Sequence, residues 1–388
     1  MPSNISGMSK VVEINTKKPL KIALLGTRGV PARYGGFETF AEKLSERLVS
    51  RGHEVVVACR RPFFGRDDYG KSTYKGIKRV CLPTFRHKYL ETPVHAAISF
   101  LYLLFNRPDV VLLCNAANSP FAWLVRLQGI PLLVNVDGIE RERAKWNALG
   151  KWWYALGEYC SKLFATKVVA DAEVIADYYR EAYGLEPVTI AYGAESVTRS
   201  AGRTLRKFNL EKDKYILYVS RLEPENNALG VIQAYQQVET DIPLVIVGGA
   251  PYAKEYIETL HREADDRVIF TGFQFEDSYE ELQNNCLFYV QATEVGGTHP
   301  ALVEAMCYGN AVIANGTPEN QEVLGQCGLF YPKNDFRMLA ECMRQYLQDA
   351  SLRLKMAKRA SDRAQAVYNW DRVADAYEAL FGEVCASK

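Results

Sequence analysis

The sequence predicts an α/β protein built as two doubly wound, Rossmann-like domains that face each other across a cleft. Short runs of apolar residues recur along the chain, and amphipathic helical patterns fall between most of them. Strands that are apolar on both faces belong in a parallel sheet covered by helices on either side. The alternation comes in two series separated by a polar stretch without a clear period. At 388 residues the chain is also long for one core, so two domains are the default.

In chain order, residues 1–18 read as a flexible leader. Residues 21–25 form the first strand, and the loop 26–36 feeds a helix over about 37–51 with Phe37, Phe40, Ala41, Leu44 and Leu48 on one face. Gly52 and His53 mark its stop, and 54–58 is the next strand. Further apolar runs stand at 79–82, 110–114, 132–135 and 167–170, with helices expected over 92–105, 145–164 and 173–183. Together they make an N-terminal domain over 19–195. A linker over 196–214 follows. The second domain, 215–366, repeats the design with strands at 215–219, 243–247, 268–271, 287–291 and 311–314. A final helix, 367–388, carries Trp370, Val373, Tyr377, Leu380, Phe381 and Val384 on one stripe and is expected to pack back on the N-terminal domain.

Composition narrows the class. Apolar residues make up 48% and charged ones 24%, ordinary for a soluble globular enzyme. The nine cysteines are scattered without a Cys-x-x-Cys pair, which reads as reduced thiols in the cytoplasm rather than a disulfide framework or a zinc site. The first twenty residues are polar and show no signal peptide. The longest apolar run, 96–105, is ten residues, too short to span a bilayer. The net charge of +1 hides an asymmetry: residues 1–190 hold 27 Lys and Arg against 18 Asp and Glu, the remainder 20 against 28. A basic first half suits either an anionic membrane surface or an anionic acceptor, unless the charge is merely scattered over solvated faces. Basic runs interleaved with aromatics are lacking, so nucleic acid is not an expected partner.

The chemistry concentrates in Thr293-Glu294-Val295-Gly296-Gly297-Thr298-His299-Pro300 and the helix after it, which ends near Gly309. A strand runs into two glycines, Thr298 or His299 can cap a helix, and Pro300 is tolerated in its first turn. Free N–H groups and the positive dipole end then point at one place, which suits a diphosphate. Glu304 lies in the second turn, and its side chain leans back toward that tip, where its carboxylate can accept bonds from a ribose. The first loop is not a dinucleotide site: Arg28 and Pro31 stand where a Gly-x-Gly-x-x-Gly needs glycine. It does place Gly35 and Gly36 directly before a helix, a second anion-friendly start. Arg221 follows a strand's carboxyl end, where its guanidinium either clamps phosphate or pairs with Glu223 or Glu225. The chain has no Asp-x-Asp, so charge on a leaving diphosphate would be met without a metal ion, by Arg221 and helix N-termini.

These residues resemble a known family. Gly52-His53-Glu54-Val55, the run from Ser220 and Arg221 through Asn226 and Asn227, and Val303-Glu304-Ala305-Met306 before Gly309 are similar to the GT4 retaining glycosyltransferases of GT-B fold, over roughly residues 20–385. Thr27 through Phe40, Asp137-Gly138-Ile139-Glu140, Arg143-Ala144-Lys145-Trp146 and Glu294 through Pro300 resemble the bacterial rhamnosyltransferase branch, which transfers L-rhamnose from dTDP-rhamnose to lipid-linked saccharides. The resemblance implies that Arg221 binds the diphosphate, Glu304 the ribose, and Gly296 and Gly297 the donor through their N–H groups. Gly35 and Gly36 would contact the diphosphate or shape the acceptor pocket. His299 would hydrogen-bond phosphate or cap the helix. Two positions depart from the broad family pattern. Gly296 stands where a catalytic Glu is usual, leaving Glu294 as the nearest substitute. Asn226 stands where a phosphate-binding Lys is usual. Asp137 would orient a sugar hydroxyl, take the acceptor proton, or cap the turn at Gly138. No cofactor beyond the nucleotide-sugar is implied, and the lipid-linked acceptor places the chain at the inner face of the cell membrane. A nucleotide-sugar epimerase, a non-catalytic sugar-nucleotide sensor, and a transferase using a UDP- or GDP-sugar are the alternatives.

Overall fold

In the computed structural model, residues 18–32, 35–65, 71–142, 146–250 and 253–387 are described. The expected leader, apart from its last residue, and the motif residues Arg33, Tyr34, Arg143, Ala144 and Lys145 lie outside them.

Two sheets organise the chain. The first takes strands β1 (Lys21–Leu25), β2 (Glu54–Arg60), β3 (Thr73–Tyr74), β4 (Ile77–Leu82), β5 (Val110–Cys114), β6 (Leu132–Val136), β7 (Lys167–Ala170) and β8 (Val188–Thr189) in the order β3-β4-β2-β1-β5-β6-β7-β8. Only the β3–β4 pairing is antiparallel. The second sheet is wholly parallel and orders β9 (Ile216–Val219), β10 (Leu244–Val247), β11 (Val268–Gly272), β12 (Phe288–Gln291), β13 (Val312–Asn315) and β14 (Leu329–Tyr331) as β11-β10-β9-β12-β13-β14. In both, the order reverses beside the first strand of the series, β1 and β9. The crevice outside the carboxyl ends at such a reversal is where open α/β sheets take ligands.

The apolar runs read from the sequence are the buried strands. Ile22, Leu24, Val55, Val57, Val110 and Leu112 face one core layer of the first sheet, and Ala23, Leu25, Val111, Leu113 and Val134 face the other. That is the two-sided burial expected of strands with no polar face. The final helix, Trp370–Ala386, belongs to the first of these layers: Trp370, Val373, Tyr377, Leu380, Phe381 and Val384 are all buried in it, against the helix Gly36–Ser50. Asn135 Nδ2 donates to Tyr377 Oη at 2.5 Å, and Arg51 Nη1 pairs with Glu378 at 2.8 Å. His53 joins the same tie. Its Nδ1 accepts from the Leu20 N–H at 3.1 Å, and its Nε2 lies 3.4 Å from Glu378.

The polar stretch after residue 195 differs from the plain linker expected of it. It contains a short helix, Arg203–Lys207. The carboxylate of Glu281 accepts from the N–H groups of Gly202, Thr204 and Leu205 at 2.7, 3.1 and 2.9 Å. A cap supplied from so far along the chain leaves no local trace. The edge strands β3, β8 and β14 were also absent from the sequence reading, being only two or three residues long. The helix expected from 145 begins at Ala148, where Asn147 accepts from the Gly150 N–H at 3.0 Å. Among the described residues no helix is long and apolar enough to cross a membrane.

Candidate active site

A cavity of about 920 Å³ lies between the carboxyl ends of the two sheets. Its floor on the N-terminal side comes from the loops after β1, β5 and β6, and on the other side from the loops after β9, β10 and β12. Gly35, Gly36, Asp137, Arg221, Asn226, Gly296, Gly297, Thr298, His299 and Glu304 all line it. Glu294 does not. The Asn334 side-chain amide bonds its carboxylate, and its N–H donates to the Glu225 carbonyl at 3.1 Å. The loop after β12 thus turns Glu294 toward the body of the second domain, so the reshaping needed for it to replace the missing carboxylate is not found.

On the second domain, the helix Pro300–Cys307 starts at the cavity with Pro300 in its first turn. Neither expected residue caps it through its side chain: His299 makes no such bond, and the Thr298 hydroxyl donates instead to the Asp171 carbonyl at 2.5 Å. One turn in, Glu304 Oε2 accepts from the Tyr279 hydroxyl at 2.6 Å, and that hydroxyl accepts from Gln283 Nε2 at 2.9 Å. The carboxyl is thereby fixed with its second oxygen still able to accept from a ligand. Desolvation pushes its pKa up to about 7, outweighing the Tyr279 bond and the Lys43 charge, which act in the opposite direction.

Arg221 stands two residues past β9 with its side chain about one-third exposed at the cavity, and Glu223 lies 3.9 Å from its guanidinium. A guanidinium on the cavity wall is a group that can bind an anion through two parallel N–H donors. Asn226 does not merely fill the place of a lysine: its Nδ2 donates to the Arg221 carbonyl at 2.7 Å and holds that turn.

Two amides of the glycine loop bond within the protein. Gly297 N–H donates to the Asp137 carbonyl at 3.1 Å, and Thr298 N–H to Asp171 Oδ2 at 2.8 Å. Both amides are therefore engaged by the opposite domain. A Cβ on Gly297 would sit 2.1 Å from Asp171 Oδ1, and one on Gly138 would sit 3.2 Å from the Gly296 Cα. A Cβ on Gly36 would sit 2.8 Å from Pro300 Cγ. These glycines let the two domains meet, and the close approach is between backbones and side chains of the protein itself.

Sequence reasoning missed Asp171, which is fully buried at the end of β7 and whose carboxyl is held well above the usual range by burial first and the Asp137 charge second. Its position directly after an apolar run was the available signal. It also missed Tyr279 and the Phe273–Phe275 pair, whose rings stack 5.8 Å apart at the cavity edge. Gly248 and Gly249 repeat the strand-then-Gly-Gly pattern after β10, and Gly248, at φ +139°, packs so close to the Ser220 carbonyl that a Cβ would overlap it. Among the described residues no group of three or more His, Cys, Asp or Glu is placed to hold a metal ion.

Comparison with known proteins agrees with the two-domain fold. The model of Glycosyltransferase Family 4 matches residues 34–194, and that of Glycosyl transferases group 1 matches residues 203–363. The two matches follow the two sheets, and the chain has the two-domain GT-B fold. The N-acetylgalactosamine-N,N'-diacetylbacillosaminyl-diphospho-undecaprenol 4-alpha-N-acetylgalactosaminyltransferase of Campylobacter jejuni is 27% identical over 49% of this chain and 52% of its own length. The chain thus spans about half the length of that relative. The phosphatidyl-myo-inositol mannosyltransferase of Mycolicibacterium smegmatis is 25% identical over 87% of this chain and 88% of its own. Among solved structures, the sucrose-phosphate synthase of Thermosynechococcus elongatus superposes with a TM-score of 0.79 at 20% identity, covering 95% of this chain and 99% of that one. Anabaena Alr3699/HepE in complex with UDP-glucose gives 0.78 at 16% identity over 95% and 100%.

Proposed function

We propose that this chain is a retaining glycosyltransferase that moves L-rhamnose from dTDP-rhamnose onto a lipid-linked saccharide during bacterial polysaccharide assembly, at the inner face of the cell membrane. The observation that carries the reading is the pairing of Arg221 and Glu304 on one wall of the cleft, with Asp137 on the wall opposite. A guanidinium for pyrophosphate and a carboxylate for ribose are the two groups a nucleotide-diphosphate sugar requires.

In the proposed reaction the bond between the sugar C1 and the donor phosphate oxygen breaks, and its electron pair leaves with the diphosphate. Arg221 and the start of the helix Pro300–Cys307 meet that charge. The acceptor hydroxyl oxygen bonds to C1 from the same face, and its proton passes to the departing phosphate oxygen. Asp137 orients a sugar hydroxyl beside this centre. The donor sugar rests on the motif resemblance alone. The relatives named above speak of N-acetylgalactosamine and mannose, and the Anabaena structure holds UDP-glucose, so UDP-sugars belong in the same test.

That test is a thermal-shift panel of dTDP-, UDP- and GDP-sugars followed by transfer to a lipid-linked acceptor. One donor raises the melting temperature by mass action, and transfer with that donor proceeds undiminished in EDTA. Isomerisation of the donor incubated alone would replace transfer with epimerisation, and loss of all transfer in EDTA would remove the metal-free account.

A further inference from the structure

The exposed apolar side chains are unevenly spread. Among the described residues, ten of the fifteen large ones lie between residues 85 and 163, all in the N-terminal domain. Eight of these lie on three helices, Glu91–Phe105, Trp123–Leu127 and Ala148–Phe164; the first and third pack on the segment Ala116–Phe121, and the second packs on the first. On the helix Ala148–Phe164, Leu149, Trp152, Tyr159 and Leu163 fall on one outward stripe, with Leu149 63% and Trp152 59% exposed. The helix Glu91–Phe105 ends in Phe105, 87% exposed, and the helix Trp123–Leu127 ends in Leu127, 78% exposed. Arg107 Nη2 donates to the Gln128 carbonyl at 2.8 Å, which brings those two ends together. A helix apolar on its outer as well as its inner side needs something to cover it.

The charges say what that is. The exposed ionic groups on these helices are Arg126, Lys151 and Lys162, with Arg107 beside them, and the carboxylates the same helices contain, Glu91 and Glu158, are buried. An apolar face with Trp and Tyr, on helices whose exposed charges are all cations and with the exposed Asp109 beyond Arg107 at its edge, matches the interface of an anionic bilayer. The face also runs into the cleft. Trp146 lines the cavity beside Tyr154, with rings 5.3 Å apart, and packs against Gly150 in the first turn of the same helix that presents Leu149 and Trp152. Lys88, 5.6 Å from the Trp146 ring, lines the cavity two residues before the exposed Leu90.

We infer that this three-helix face docks on an anionic lipid surface and sets the acceptor side of the cleft at the headgroups. The inference rests on the lipid-linked acceptor proposed above, and it names the surface that would deliver it. The test is vesicle co-sedimentation of the full chain, using phosphatidylcholine alone and phosphatidylcholine with phosphatidylglycerol, neither containing a glycosyl acceptor. Binding to the anionic vesicles is expected to be at least about tenfold tighter and to weaken in high salt. The double variant Phe105→Glu, Leu127→Glu is expected to lose at least about tenfold of that binding, while its thermal shift with nucleotide sugars stays that of the parent. Equal binding by parent and double variant would overturn the inference, as would no binding to either vesicle. So would a dimer in solution that the same two substitutions dissolve, since a second copy would then cover the face. Because the vesicles carry no acceptor and the shift reports donor binding, failure here leaves the proposed transfer standing, and failure of the donor panel leaves the membrane result standing.

Discussion

Glu304 is subject to two opposing pH effects. Burial raises its pKa from 4.5 to about 7, so the folded chain holds that proton more tightly than the unfolded one. Its contribution to stability is therefore full below the unfolded value and is lost as pH rises to about 7. Ribose binding needs the carboxylate, so donor affinity should move the other way. Calorimetric titrations with the donor should show affinity increasing several-fold between about pH 6 and 8, and Glu304→Gln should bind weakly with this rise abolished. A parent enzyme whose affinity is flat across that window would mean that Glu304 does not hold the ribose. Arg221→Ala and Glu304→Ala should each lower kcat/KM by tens-fold or more, with the urea midpoint little changed; near-normal turnover in both would count against the assigned roles.

Gly297 makes a sharper structural prediction. Its missing Cβ is what lets Asp171 Oδ1 approach, so Gly297→Ala should cost about 1–3 kcal/mol in urea unfolding. Removing the obstructing carboxylate should relieve most of that, making Gly297→Ala less costly in an Asp171→Ala background than alone. Strict additivity of the two changes would show that the contact is not the reason for the glycine.

The elements were legible where the signal was local. Apolar runs such as Val110–Cys114 announced the strands, and Gly35-Gly36 and Gly296-Gly297 marked helix starts that do line the cleft. The final helix was legible as well, because its stripe from Trp370 to Val384 follows the helical period. What it covers depends on a contact with a helix more than three hundred residues away. The helix Arg203–Lys207 and the short edge strands were not legible, because a distant carboxylate or a single neighbouring strand decides them. Trp370 closes the core over Gly193, and Trp370→Ala should cost about 3–5 kcal/mol. Destabilisation well under that, measured by urea unfolding, would mean that the final helix is an appendage and not part of the first domain's core.

The two domains meet through Asp137, Asp171 and the first turn after Ala172 on one side and Gly297, Thr298 and Glu322 on the other, Glu322 accepting from the Glu173 and Val174 N–H groups at 2.7 and 3.1 Å. None of these contacts was readable from local pattern, because the pairing of two domains is written in no stretch of either. In the glycine loop the Gly297 and Thr298 N–H groups grip the opposite domain through Asp137 and Asp171. Asp171→Ala should release that grip, and small-angle scattering should then record a larger radius of gyration than for the parent; an unchanged radius would show that other contacts hold the cleft shut.

The most direct measurement is a crystal structure with the donor nucleotide bound. The diphosphate should lie against the Arg221 guanidinium at the start of the helix Pro300–Cys307, with the ribose hydroxyls on the Glu304 carboxylate and the Tyr279 bond to that carboxylate kept. A nucleotide seated outside the cleft, or a ribose left unheld while Glu304 points elsewhere, would contradict the account.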